Sequence, residues 1–206
     1  MTAADAELHR VLQRSKGLGF LGPGDIEQQV SHALAFLPAL SNTSRVLDLG
    51  SGGGLPGLVL ATQLRDAEFV LLDSQGRRCT FLESAVEQLE LNNRVSVVNG
   101  RAEEMAREVA LRGSFDAVVS RSFGPPAVTA ECAVGFLNGR GAILAVSEPP
   151  VPGTDRWPAD GLQGLGLEPA EVLNSASGRI QILRATASCP ERFPRRTGIP
   201  AKRPLF

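Results

Sequence analysis

No run of about 18 apolar residues occurs in this chain, so a membrane-spanning helix is not expected. The opening MTAADAELHR carries acids and no apolar segment, and does not read as a secretory signal. Cysteine is sparse. Cys79, Cys132 and Cys189 are widely spaced and odd in number, which fits neither a disulfide framework nor a zinc site. A reducing, cytoplasmic setting without a metal is therefore expected. Histidine is limited to His9 and His32, which leaves no obvious histidine base for catalysis. Net charge is nearly absent too, at -1, but the balance is uneven. From Pro190 onward Arg192, Arg195, Arg196, Lys202 and Arg203 face Glu191 alone, five cations against one acid and hence a local +4. A basic tail on an acidic body points to an anionic partner at one face.

What is present suffices for a core. With 43% hydrophobic and 21% charged residues, the 206-residue chain reads as one folded domain with a short appendage rather than a disordered one. Residues 5–14 have helical periodicity, with Leu8, Val11 and Leu12 on one face. Glycines 17, 19, 22 and 24 and Pro23 then break the chain, and Asp25 reads as the N-cap of a helix to about Ala39. From Arg45 strands and helices alternate. Strands are expected at 45–49, 68–72, 95–98, 115–119 and 141–146. Helices are expected at 58–64, 77–91, 103–111 and 127–136. Short, continuously apolar strands alternating with helices imply an α/β fold, a doubly wound and mostly parallel sheet. Residues 148–166, with prolines 149, 150, 152 and 158, read as loop. Late strands at 171–173 and 179–184 add an antiparallel C-terminal pair if they join. The expected division is an N-terminal helical extension (1–44), a ligand-binding domain (45–189) and a basic tail (190–206).

The strongest local signal is Val46-Leu47-Asp48-Leu49-Gly50-Ser51-Gly52-Gly53-Gly54-Leu55-Pro56-Gly57, leaving one strand and entering one helix. Five glycines in eight positions exceed what a tight turn needs and let backbone approach a ligand closely. Gly52-x-Gly54-x-x-Gly57 matches the dinucleotide fingerprint in form, with Asp73 at about the right distance. Two features argue against a pyrophosphate. Asp48 would repel it, and Pro56 removes a backbone N–H from the helix start. S-adenosylmethionine fits better, since it has no phosphate and carries an ammonium and a sulfonium. Asp48 then suits the positive charge, and Asp73 suits the ribose hydroxyls. The third strand leads into Asn99-Gly100-Arg101-Ala102-Glu103-Glu104, where a class I (Rossmann-like) methyltransferase usually contacts adenine; the competing role for the two glutamates is as helix-start acids.

Four segments in order resemble one family. They are Asp48-Leu-Gly-Ser-Gly-Gly-Gly-Leu-Pro-Gly57, Leu71-Leu-Asp-Ser-Gln-Gly-Arg-Arg78, Gly100-Arg-Ala-Glu-Glu104 with Phe115-Asp-Ala-Val-Val-Ser-Arg-Ser-Phe123, and the tail from Arg192 to Leu205. They are similar to the RsmG (GidB) family, guanine-N7 methyltransferases of small-subunit ribosomal RNA. The resemblance spans about residues 45–206 and implies an enzyme using S-adenosylmethionine, with 16S ribosomal RNA or the small subunit as partner, acting as a monomer. Carried over by position, the cofactor contacts fall on Gly50, Leu55, Ala102, Glu103 and Arg121, joined by Asp48, Ser51, Gly52 and Asp73 from the reading above. Guanine N7 has a free lone pair and no proton to lose, so methylation there needs alignment rather than a base. The tail cations Arg192, Arg195, Arg196, Lys202 and Arg203 are the expected phosphate contacts, with Arg77 and Arg78 extending the patch. Phe123 and Phe193 are candidates for base stacking, Phe123 more as a core residue. His32 falls near a family histidine and otherwise packs a helix, and Cys132 reads as structural rather than as a methyl-accepting nucleophile.

The chain also departs from the family. The stretch Lys16-Gly-Leu-Gly-Phe-Leu-Gly22 stands where the family's Trp-Asn and Asn-Leu-Thr motifs lie. Ser147-Glu148 stands where the family carries a lysine, placing an acid that would repel phosphate. These differences keep two alternatives open: a related methyltransferase with another RNA or small-molecule acceptor, and a non-catalytic RNA-binding relative. The adenine, cytosine or glutamine amino-methylating motif is absent, its place taken by Gly124-Pro125-Pro126-Ala127.

Overall fold

Continuously apolar segments with neighbours on both sides become central strands, because each face must be covered. The computed structural model describes residues 3–150 and 155–206. Five parallel strands form first: β1 (Arg45–Leu49), β2 (Glu68–Asp73), β3 (Val95–Asn99), β4 (Ala117–Ser120) and β5 (Ile143–Glu148). A hairpin of β6 (Leu167–Ser175) and β7 (Gly178–Ala185) completes the sheet, in the order β3-β2-β1-β4-β5-β7-β6. Among the described residues, only β7 against β5 and β6 against β7 run antiparallel. The Ser175 hydroxyl closes the hairpin, accepting from the backbone of Ser177 and Gly178 at 3.2 Å each. A register irregularity at Pro169 and Glu171 breaks up the outer strand, which discourages pairing with another edge.

Alternate residues of each strand face opposite ways, and the core divides accordingly. Val46, Phe69, Leu71 and Ile180 pack under α1 (Ala3–Gly17), α2 (Ile26–Leu34), α3 (Gly57–Gln63) and α4 (Gly76–Gln88). Leu47, Leu72, Val118 and Leu183 pack against α5 (Ala102–Met105), α6 (Pro126–Val134) and α7 (Ala159–Gln163). The strand order reverses between β1 and β4, and there a crevice opens at the strands' carboxyl ends. Leu12, Phe36 and Leu40, from the N-terminal segment, are part of the first core layer and fully covered.

Several elements differ from expectation. The second helix stops at Leu34, because the amides of Ala35 and Phe36 reach back only three residues, and a 3-10 turn (Leu37–Leu40) follows around Pro38. Asp25 occupies the N-cap position, but its side chain makes no capping bond. The helix expected at 103–111 ends at Met105; beyond it the Arg112 guanidinium takes the Ala106 carbonyl at 3.0 Å, and the chain continues in turns. Part of the proline-rich loop is helical, as α7; Pro152 lies outside the described residues.

The basic tail is not a loose end. Its helix α8 (Ile199–Lys202) and the preceding residues are strapped over α5 and α6. Arg112 donates to the carbonyls of Phe193 (3.0 Å) and Pro190 (3.3 Å), and Arg107 donates to that of Pro194. Phe193 is buried in the second core layer, so it is not the exposed stacking platform expected from sequence.

Candidate active site

The glycine loop owes its shape to two carboxylates. Asp48, the penultimate residue of β1, is fully covered and accepts the Gly57 N–H at 3.0 Å through Oδ2. A methyl group at Gly57 would sit 2.5 Å from that oxygen, so only glycine allows α3 this close to the strand. Asp73 ends β2; its Oδ2 accepts the Gly52 N–H at 2.9 Å and its Oδ1 the Gln75 N–H at 2.8 Å. Arg78 lies 3.6 Å from the same carboxylate. The loop is thus held between the ends of two adjacent strands. The Ser51 hydroxyl reinforces it by donating to the Asp48 carbonyl at 3.0 Å.

Two cavities flank the loop and share Gly50, Arg78 and Ser122. The first, of 350 Å³, is walled by Asp73, Ala102, Glu103, Phe123, Cys132 and Ala201, among others. The second, of 240 Å³, lies between Ser51, Gly52, Leu55 and Arg121 on one side and Phe20–Gly22 on the other. Gly50 has a φ of +72°, and a methyl group there would lie 2.7 Å from the Phe123 ring, so loop and ring meet at glycine's van der Waals limit. Ser122, where β4 leaves the sheet, also has a positive φ of 59°. A larger depression, of 440 Å³, surrounds Asp116, Arg140 and Arg184 at the amino ends of β4 and β5, on the far side of the sheet from the crevice.

Electrostatics separate the carboxylates further. Burial pushes the Asp48 carboxyl up to about 7, with Asp73 adding to the rise and the Gly57 N–H opposing it. Burial also lowers the Arg121 guanidinium from its usual value, while Asp48 works in the other direction. For Glu103 burial acts upward, but the Gly198 N–H at 2.9 Å and Arg101 prevail and hold it below the usual carboxylate range. Burial pushes the Cys132 thiol well up, which keeps it protonated, as a wall residue rather than a nucleophile. Burial and Arg121 lower the His32 imidazole, whose Nε2 meets the Ser147 hydroxyl at 2.8 Å.

Most sequence-derived site residues converge: Gly50, Ser51, Gly52, Leu55, Asp73, Ala102, Glu103 and Arg121 all line one cavity or the other. Asp48 does not. It stands behind the loop with no exposed surface, so its expected direct contact with a cationic donor gives way to action through the loop and through its charge. The tail cations divide. Arg195 is clamped by Glu131, whereas Arg192, Arg196, Lys202 and Arg203 are exposed, and Arg192 lies over the Phe193 ring at 5.0 Å. Glu148 is buried, accepts from the Trp157 indole at 3.0 Å and pairs with Arg156 at 3.1 Å. It is therefore not the free acid expected to repel phosphate. Sequence reasoning missed Phe20, Leu21, Gly22 and Gln29, which close the second cavity.

The helix start also bears on the ligand. Pro56 has no N–H, the Gly57 N–H is held by Asp48, and the Leu58 N–H by the Gly54 carbonyl at 2.9 Å. The first two N–H groups of the helix are therefore engaged, which disfavours a pyrophosphate there.

Strand order, hairpin and glycine loop together define a class I methyltransferase fold. Solved structures agree: the chain superposes on cofactor-bound Rv0187 from MTB with a TM-score of 0.64 and 20% identity, covering 88% of this chain and 90% of that one. For an O-methyltransferase from Bacillus cereus, solved with SAH, the TM-score is 0.61 at 15% identity, covering 87% and 90%. Within that fold the chain belongs to the GidB family, described as rRNA small subunit methyltransferase G, whose family model matches residues 23–148. Relatives named ribosomal RNA small subunit methyltransferase G include those of Rubrobacter xylanophilus, 38% identical over 84% of this chain and 69% of that protein, and of Prochlorococcus marinus strain MIT 9303, 38% identical over 78% and 68%.

Proposed function

We propose that this protein transfers the methyl group of S-adenosylmethionine to N7 of a guanine in 16S ribosomal RNA. The observation that carries the reading is the paired cavity astride the glycine loop, with an arginine whose Nη1 is buried and lacks a partner, in a chain of the GidB family. A donor with an adenosine half and a charged amino-acid half suits that division, and the engagement of the first two helix-start N–H groups disfavours a dinucleotide. When bound, the donor supplies an electrophilic methyl group.

The chain's own residues then bind and orient. Asp73 holds the loop and keeps lone pairs for hydroxyl donors. Ala102, Glu103 and Phe123 enclose the first cavity. Arg121 offers its unpartnered Nη1 to an anionic group. No side chain need remove a proton, since guanine N7 carries none, and alignment with exclusion of water supplies the acceleration. Arg77, Arg101, Arg196, Lys202 and Arg203 are exposed on segments bordering the first cavity, where they suit an RNA backbone. Glu148 is neutralised by Arg156, which removes the argument that an acid there demands a different acceptor.

The test is transfer of labelled methyl from S-adenosylmethionine to 16S RNA lacking the modification, offered as naked RNA, ribonucleoprotein and assembled subunit. Label on a single guanine N7 is the expected result. Absence of transfer to all three forms rejects the reading.

A further inference from the structure

Gln29 is buried on α2, far in sequence from the glycine loop, yet it reaches the second cavity. Its Oε1 accepts from Arg121 Nη2 at 3.3 Å, and its Nε2 donates to the Gly22 carbonyl at 3.2 Å. A guanidinium only donates and a peptide carbonyl only accepts, so the amide can point only one way. One side chain thus joins the residue after β4 to the strap of residues 17–25 that roofs the cavity. The strap's other end is tied by the fully buried Ser15, whose hydroxyl donates to the Gly53 carbonyl at 2.9 Å, and by Lys16, whose Nζ donates to the Gly24 carbonyl at 2.6 Å.

The choice of an amide has a chemical consequence. A carboxylate here would hold Arg121 and also cancel its charge. Gln29 orients the guanidinium and leaves the charge in place, with Nη1 unpartnered. We propose that Gln29 is a positioning residue for the amino-acid arm of the methyl donor, aiming Arg121 at the arm's carboxylate and holding the strap over it. The proposal rests on the S-adenosylmethionine reading above.

Calorimetric titration of the whole protein with two probes tests it. S-adenosylhomocysteine carries the amino-acid arm, and 5′-methylthioadenosine lacks it. In Gln29→Met, of similar length without polar atoms, the Kd for S-adenosylhomocysteine is expected to rise about tenfold, the scale of one hydrogen bond to a charged group. The Kd for 5′-methylthioadenosine should stay within about twofold of the unmodified protein's. Gln29→Glu, which keeps the bond to Arg121 but cancels its charge, should show the same selective loss and carries the test if the Met variant does not fold. An equal loss for both probes marks a general packing role and overturns the proposal, as does no loss for either. If the unmodified protein binds neither probe, the methyl-donor reading itself has failed.

Discussion

Arg195 and Glu131 are locked together at the junction of the C-terminal strap and α6. The guanidinium donates to both carboxylate oxygens, at 2.8 and 2.6 Å, and the Arg195 backbone N–H adds a third bond at 2.8 Å. Glu131 has no exposed surface, so removing the arginine leaves a buried charge without its partner. Arg195→Ala should lower unfolding free energy by roughly 3–5 kcal/mol, and replacing both residues by apolar ones of similar size should recover much of that loss. Urea denaturation of the single and double variants measures both. A loss below about 1 kcal/mol in the single variant would mean the pair acts as an ordinary surface contact.

The other tail cations should behave in the opposite way. Arg196, Lys202 and Arg203 are exposed, so their joint replacement by alanine should leave the melting temperature unchanged. RNA affinity should fall, and the slope of log affinity against log salt should become shallower by about one for each lost phosphate contact. An unaltered salt slope would place the RNA on another face.

Gly57→Ala tests the loop's architecture. The added methyl meets Asp48 Oδ2 and a Leu71 methyl, each at 2.5 Å, in a core that cannot yield freely. A stability loss of about 1–3 kcal/mol is expected, with weakened binding of S-adenosylhomocysteine as α3 and the loop move apart. Unchanged stability and binding would show that this contact relaxes without consequence.

Asp48 gives the protein a pH signature. Its carboxyl titrates near 7 in the folded state against an ordinary value of 3.8. Between about pH 4 and 7 the folded protein therefore holds a proton that the unfolded chain has released. This contribution to stability is complete below that window and is lost as pH rises through 7, by at most about 4 kcal/mol at roughly 1.4 kcal/mol per unit. Asp48→Asn should remove that decline, seen as a flatter melting temperature between pH 5 and 8. Parallel pH profiles in the two proteins would refute the assignment. A cationic donor near Asp48 favours its ionised form, so S-adenosylmethionine affinity should increase as pH rises to about 7.

The sequence reveals the sheet better than it reveals the site. β1, β2, β4 and β5 are legible because each is a short, mostly apolar run, and burial on both faces imposes that composition, whereas β3, at the sheet's edge, is marked only by Val95, Val97 and Val98. The glycine loop, Asp73 and the Ala102–Glu103 step are legible because each follows a strand's carboxyl end. Phe20–Gly22 and Gln29 escape such reading: nothing periodic marks residues that act from an irregular strap, and a lone buried glutamine resembles any other polar residue of a helix. The roles of Arg195 and Glu148 escape it as well. Charge is visible in a sequence, but whether a partner cancels it depends on contacts across 64 residues in one case and on Trp157 and Arg156 in the other.

The strap also bears on how the molecule comes into being. Leu49 and Ala201 border the same cavity, and Gly198 supplies the N–H that fixes Glu103. During translation β1 leaves the exit tunnel long before α8. A nascent chain can pair its parallel strands early, yet this cavity stays open on one side until Ala201 has emerged. Release after β7 but before Ala201 would yield a protein with its sheet in place and this cavity missing one side.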